Sequence, residues 1–522
     1  MGCVHHGPFG RTCMARAPAV RHDCLMTSGV AFPAVDGHRS TSALGRSVVA
    51  DALRRVDAAA AGRAEREANW RSGYLAHFRG LVEAGLASGD AAVSVAVDGL
   101  DSLHRRMRAV GAEGAETGLG ALVSAPARGG LGAELVAGTG EAARELSVPY
   151  RGERLRGDAL LGQLEAWVTA GVIEPSCAEA VRTVAAHPEW LALPGRTVAV
   201  LGAGAEVGPL PVLLNWGAQV IGMDLPGAFV WDRVLAQARR GAGKLLVPVS
   251  ADPSGPGSGD LVRRAGLDVT LDVPTLADWL CGFDGPLVLG NYVYADGAAN
   301  VLLASAVDAL TLRLLAARGD VALAFLATPT DVFAVPADAV AQSRVAWATR
   351  SPAVRLGGGS LRALSGGRLL RPGYPPGADP GICDSLIPQQ GPNYALAKRV
   401  HRWRATVARH SGVTVSMNVA PPTRTRSVLK NRALAAAFVG APRFGVEVFE
   451  PDATRTLMAA LLVHDLHTSG GPASHPWQDE AHAAAHGGLW RIAYAPRSAL
   501  TLAALLGYRA ASSRAVSSGQ AG

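Results

Sequence analysis

Lysine is almost missing from this chain: of its 50 basic residues, 47 are Arg, and only Lys244, Lys398 and Lys430 are Lys. The arginines are spread along 522 residues with no basic tail or block, so the formal charge of +7 does not imply a nucleic-acid partner. Aromatic residues are also few, at 5%. Apolar residues nevertheless reach 49% and charged ones 18%, a balance that belongs to a globular protein rather than an unfolded one. Long apolar runs are wanting too. The nearest, Val301 to Ala317, is interrupted by Asp308 and Arg313, so no membrane span is expected. The six cysteines, Cys3, Cys13, Cys24, Cys177, Cys281 and Cys383, show no CxxC spacing, which points to reduced thiols and a cytoplasmic protein.

The first 25 residues lack the apolar core of a signal peptide, and His6 stands where a myristoylation signal needs Ser or Thr. Cys3, Cys13, Cys24, His5, His6 and His22 do not have the spacing of a metal knuckle. Residues 1–39 therefore read as an unstructured arm, with Met26 an alternative start.

A chain of this length calls for more than one core. Residues 40–193 carry helical patterning: Leu44, Val48, Val49, Leu53 and Val56 recur at helix spacing, as do Val95, Val97, Leu100 and Leu103. Ser176 with Glu179 reads as a capping box opening another helix. This region is expected to form an accessory helical domain. From Arg196 short apolar runs alternate with amphipathic helices: 197–201, 219–223, 245–249, 286–289, 321–327 and 413–418. Such alternation predicts an α/β fold with a doubly wound, Rossmann-like parallel sheet over residues 194–455. A Gly/Pro-rich stretch, 351–390, reads as an insertion, and 456–522 as a helical, His-rich extension.

Chemistry first surfaces at Thr197-Val-Ala-Val-Leu-Gly-Ala-Gly-Ala-Glu-Val-Gly-Pro-Leu. Gly202 permits a tight turn out of the strand, Gly204 lets a phosphate approach the backbone, and Gly208 lets the following helix pack closely. The next strand ends at Asp224, a carboxylate that can accept ribose hydroxyls and disfavours a 2′-phosphate. The unit predicts a bound dinucleotide, NAD rather than NADP. A methyltransferase shares this outline, but its usual acid two places before the first glycine is Val200 here, and Glu206 interrupts its glycine pattern.

Tyr394 and Lys398 stand one helical turn apart, on one face. With three lysines and eight tyrosines in the chain, chance produces that spacing only about once in twenty. A phenol whose pKa a nearby ammonium lowers is a proton donor to a carbonyl oxygen. On these residues, with the glycine turn and the run Gly412-Val-Thr-Val-Ser-Met-Asn-Val-Ala-Pro-Pro-Thr, the chain resembles the short-chain dehydrogenase/reductase family over about half its length. The resemblance implies an NAD-dependent oxidoreductase acting on a carbonyl or alcohol. In it Tyr394 would be the acid/base, and Lys398 would lower its pKa and hold the ribose. Thr423 would face the nicotinamide. The family's polarising serine has no counterpart a dozen residues before Tyr394, which leaves Thr328 and Ser385 as candidates for that hydroxyl. Asn291, ending the fourth of the expected strands, would orient cofactor or substrate. A catalytically silent NAD-binding scaffold is the alternative reading, and an S-adenosylmethionine-dependent methyltransferase the third.

Five histidines, His464, His467, His475, His482 and His486, crowd the C-terminal region. His482 and His486 fall at a helical i,i+4 spacing able to chelate zinc, but the glutamate of HExxH is missing, so no metal is expected. The expected partner is a small-molecule substrate, and assembly into a homo-oligomer is compatible with the sequence.

Overall fold

A computed structural model of the chain describes residues 29–35, 37–111, 114–250, 260–468 and 471–519, with side chains as far as 508. The cysteine and histidine residues before position 29 lie outside it. The centre is a seven-stranded sheet. Its strands are β1 (Leu131–Ala137), β2 (Thr197–Leu201), β3 (Gln219–Met223), β4 (Lys244–Ser250), β5 (Leu287–Asn291), β6 (Val321–Ala327) and β7 (Val415–Val419). They lie side by side as β7-β6-β5-β2-β3-β4-β1, all parallel except β1, which runs antiparallel along β4. The six parallel strands coincide with the expected apolar runs to within two residues at either end. β1 occupies a stretch whose weak pattern hid it: its alternate residues are half-buried at the sheet edge, and Leu135 is exposed.

Alternation with period two divides the sheet cleanly. Ala199, Leu201, Ile221, Met223, Leu287, Leu289, Leu323 and Phe325 enter one core. Val198, Val200, Val220, Leu245, Val247, Val288, Ala322 and Ala324 enter the other. The helices Val273–Cys281, Ala298–Ala317 and Gly391–His410 belong to the first core. Beyond them lies a second layer, the helices Thr41–Arg54, Ala58–Glu65, Trp70–Gly85 and Gly89–Arg106. The helices Gly157–Thr169, Pro175–Ala186, Leu210–Trp216, Ala228–Arg240 and Pro451–Thr468 belong to the second core. Residues 40–193 therefore contribute helices to both cores and a strand to the sheet edge.

Several local expectations change. Residues 29–35 and 37–39 belong to the folded body: Val30 is fully buried and its strand, Gly29–Ala31, pairs with Arg108–Val110. The helix expected at Ser176 begins at Pro175, and the Ser176 hydroxyl accepts from the Ala483 amide instead of capping its own helix. The stretch 351–390 contains a helix, Pro352–Leu364, and a strand, Gly381–Asp384, which pairs with Val332–Val335.

Helix Ala298–Ala317 is long and apolar enough to cross a membrane by length and composition, but most of it is buried inside the protein. Asp308 at its middle accepts a two-pronged pair from Arg404 (2.7 and 2.8 Å) and bonds His104 (2.7 Å), tying three helices together. Where the helix Gly89–Arg106 crosses the helix Gly391–His410, Gly99 lies against Trp403. A Cβ there would come within 2.5 Å of the indole.

Candidate functional site

Strands β2, β3 and β5 end level with one another, since Leu201 pairs with Met223 on one side and Asn291 on the other. The chain runs outward from β2 to β3 and β4, then returns to the far side of β2 for β5, β6 and β7. Loops leaving β2 and β5 therefore diverge, and a cleft of about 1050 Å³ opens beyond these strand ends.

The glycine turn forms one wall. Gly202 has φ of +83°, a left-handed conformation costly for other residues, and a Cβ would lie 2.9 Å from the Tyr292 carbonyl oxygen. At Gly204 a Cβ would meet Val230 at 2.7 Å. Gly208 is less tightly confined, its nearest neighbour being Ala205 at 3.3 Å. Asp224 lines the cleft but turns back to brace the loop. Its Oδ2 accepts from the Gly204 amide (2.7 Å) and its Oδ1 from the Leu225 amide (2.8 Å). Each oxygen keeps a further lone pair.

Three arginines surround this turn. Arg233 donates to the Gly204 carbonyl (2.5 Å), Arg455 to the Glu206 carbonyl (2.6 Å), and Arg426 pairs with the Glu206 carboxylate (3.1 Å). Sequence reasoning missed them, because in a chain with 47 arginines an arginine carries almost no signal.

Opposite the turn, the helix Gly391–His410 presents Tyr394 and Lys398 to the cleft. Thr328 follows directly on β6 and is bonded to Thr330 through their hydroxyls (2.8 Å). Burial raises the Tyr394 pKa to about 12, and the nearby Thr328 hydroxyl and Gln390 amide pull against that rise. The Thr328 hydroxyl, which the sequence had placed only as a partner for the carbonyl, therefore also takes part in lowering the phenol. Burial also lowers Lys398 to about 8, opposed only by the Asp331 charge. Tyr294 packs edge-on to Tyr394, ring centroids 6.2 Å apart, and donates to Asp296 (2.6 Å).

Asn291 and Thr423 both line the cleft and both are buried. Asn291 accepts from the Val293 amide (3.4 Å), and Thr423 bonds the Thr454 hydroxyl (2.7 Å) and the Pro421 carbonyl (2.8 Å). Ser385 is not brought to the cleft. It is buried with its hydroxyl held by the Pro329 and Asp331 carbonyls (2.6 and 2.8 Å).

The histidines scatter. The helix Pro476–Ala481 ends before His482, so His482 and His486 share no helix face. His486 is fully buried against Glu174 (2.8 Å), His467 stacks on Trp190, and His475 caps the helix it precedes. Among the described residues no group of three or more His, Cys, Asp or Glu is arranged to hold a metal ion.

No family model matches the chain, and no curated protein does. Among solved structures it is similar to the terminal R domain from the myxalamid PKS-NRPS biosynthetic pathway, at 17% identity and a TM-score of 0.24. That similarity covers 56% of this chain and 66% of the other, just under two thirds of the domain's length, and assigns no family.

Proposed function

We propose that the cleft binds a nicotinamide dinucleotide, NAD in preference to NADP, and that the protein reduces a small carbonyl compound. The observation that carries this reading is the meeting of Thr328 with Tyr394 and Lys398 across from the glycine turn. These residues are far apart in sequence, and only the order of the strands brings them to one cleft.

The chain's residues fit such a cofactor. Setting aside the antiparallel edge strand, the six parallel strands lie in the order 3-2-1-4-5-6, that of the doubly wound dinucleotide-binding sheet. Gly202 and Gly204 allow the tight turn at the end of β2, where a Cβ would collide with Tyr292 and Val230, and the cleft volume suits a cofactor with a small substrate. Asp224 would accept from the ribose and repel a 2′-phosphate.

When bound, a reduced nicotinamide supplies the hydride to the carbonyl carbon. Tyr394, protonated at neutral pH, donates its proton to the carbonyl oxygen as the C=O π bond breaks, because the nascent alkoxide is a stronger base than a phenolate. Thr328 donates a hydrogen bond to the same oxygen and orients it. Lys398, mostly charged below pH of about 8, stabilises the phenolate until solvent returns the proton.

Calorimetric titration with NADH, NADPH and S-adenosylmethionine tests the binding half of the reading. Saturable binding of NADH, tighter than NADPH, is expected. Binding of S-adenosylmethionine with neither nicotinamide would overturn it. Turnover of a carbonyl panel by wild type and Tyr394→Phe separates an enzyme from a silent scaffold.

A further inference from the structure

Beside the cleft lies a second recess of about 70 Å³, which shares Thr330, Ile387, Pro422 and Phe438 with it. Thr330 is the residue whose hydroxyl bonds Thr328 (2.8 Å), so the recess begins next to the hydroxyl assigned to the carbonyl. Its far walls come from the helices Arg432–Gly440 and Pro496–Gly519, contributing Ala437 and Ala499 among others. These two helices approach so closely at Gly440 that a Cβ there would overlap the Ala503 carbonyl oxygen.

Only three lining residues of this recess are polar, and each is already engaged. Thr330 bonds Thr328, Ser385 bonds the Pro329 and Asp331 carbonyls (2.6 and 2.8 Å), and Arg497 pairs with Asp384 (2.7 Å). The remaining lining is aliphatic or aromatic. Along the aliphatic and aromatic walls a polar occupant would surrender its hydration for few partners, whereas an alkyl group loses only its contact with water.

We propose that this recess takes the aliphatic tail of a straight-chain carbonyl substrate whose C=O lies at Thr328 and Tyr394. The proposal rests on the reductase reading and adds to it a substrate class. With about 70 Å³ open to the centres of water-sized groups, the recess admits on the order of five methylene groups. Reduction is balanced as before: the aldehyde gains the hydride at carbon and the Tyr394 proton at oxygen, and leaves as the primary alcohol.

The test uses the full chain, NADH and straight-chain aldehydes from propanal to decanal, with calorimetric binding of the matching 1-alkanols in parallel. In wild type, kcat/KM and alkanol affinity should each rise about fourfold per methylene, then level off after on the order of five. Ala437→Phe, which fills the recess, should flatten both slopes. Ala499→Leu serves the same purpose if thermal melting shows that the first variant has not folded. Reduction of aldehydes with no dependence on chain length, or a slope unaltered in both filled variants, would overturn the recess and leave the reductase reading standing. Alkanol binding that depends on chain length and is lost in the filled variants, without reduction of any aldehyde, supports the recess and overturns the reductase reading. Neither binding nor turnover would overturn both.

Discussion

One helix, Gly391–His410, treats its cations in two ways, the half-buried Lys398 differently from the fully buried arginines. Lys398, facing the cleft, makes no hydrogen bond or salt bridge with the described residues, and burial brings its pKa down to about 8. Further along, Arg399, Arg402 and Arg404 are buried and paired. Arg399 and Arg402 share Asp331 (2.9 and 2.7 Å), Arg402 also grips Glu480 (2.6 Å), and Arg404 grips Asp308. Arg402 is pushed further toward its charged form by those carboxylates, and Asp331 is held below the ordinary carboxylate range despite burial; Arg399, with a single carboxylate contact, is still brought down by burial to about 10. The paired, buried guanidiniums fix helix positions, whereas the half-buried ammonium without partners becomes titratable near neutrality. Residue type follows this division, because guanidinium stays charged across the accessible range and an amine can release its proton. That contrast gives the scarcity of lysine a physical meaning at position 398.

The contrast can be attacked from both ends of the helix. Tyr394→Phe should lower turnover by about 10²- to 10⁴-fold while leaving the melting temperature near wild type; loss of both together would reassign Tyr394 to structure. Asp331→Ala leaves two arginines buried without their shared carboxylate, and denaturant unfolding should register a loss of about 3–5 kcal/mol. A stable variant would mean that water or Glu480 compensates.

Lys398 adds a pH signature. Its folded pKa, about 8, lies below its unfolded value of 10.5, so the unfolded chain binds more protons between the two. Stability should therefore rise with pH from about 8 to 10.5, the contribution being present above the unfolded value and lost as pH falls through the folded one. Turnover should fall over the start of that interval as the ammonium is lost. In Lys398→Arg both effects should vanish from pH profiles of rate and unfolding, since arginine keeps its proton. The smallest effect is expected at Ser385→Ala. One buried hydroxyl donor, shared between the Pro329 and Asp331 carbonyls, disappears, at a stability cost of about 1–3 kcal/mol, with kcat unchanged. Thr328→Val, by contrast, should lower kcat, with a stability cost of about 1 kcal/mol from the lost bond to Thr330.

Legibility varied along the sequence, for reasons visible in particular residues. The runs at 197–201 and 219–223 are apolar on both faces because helices cover both sides of the sheet, and that local pattern is hard to mistake. β1 was illegible because an edge strand need bury only alternate residues, and Gly132 and Glu134 blur even that. Tyr394 and Lys398 could be paired from their spacing alone. Thr328 and Ser385 could not be ranked, since one hydroxyl follows a strand whose neighbours were unknown and the other is consumed by carbonyls set by a turn at 329–331. The histidine spacing misled because the helix carrying it stops at Ala481.

By itself the sequence determined the α/β character, the parallel strands and their edges, the glycine turn, and the phenol–amine pair. All of these are written in contacts a few residues long, where period, turn geometry and helical rise are sufficient. Tertiary structure alone decided that Thr328 meets Tyr394, that Asp224 braces the glycine turn, that His486 is buried against Glu174, and that an apolar recess adjoins the cleft. Those outcomes depend on which strand lies beside which and on which charges burial brings together, and neither is encoded in any short stretch of chain.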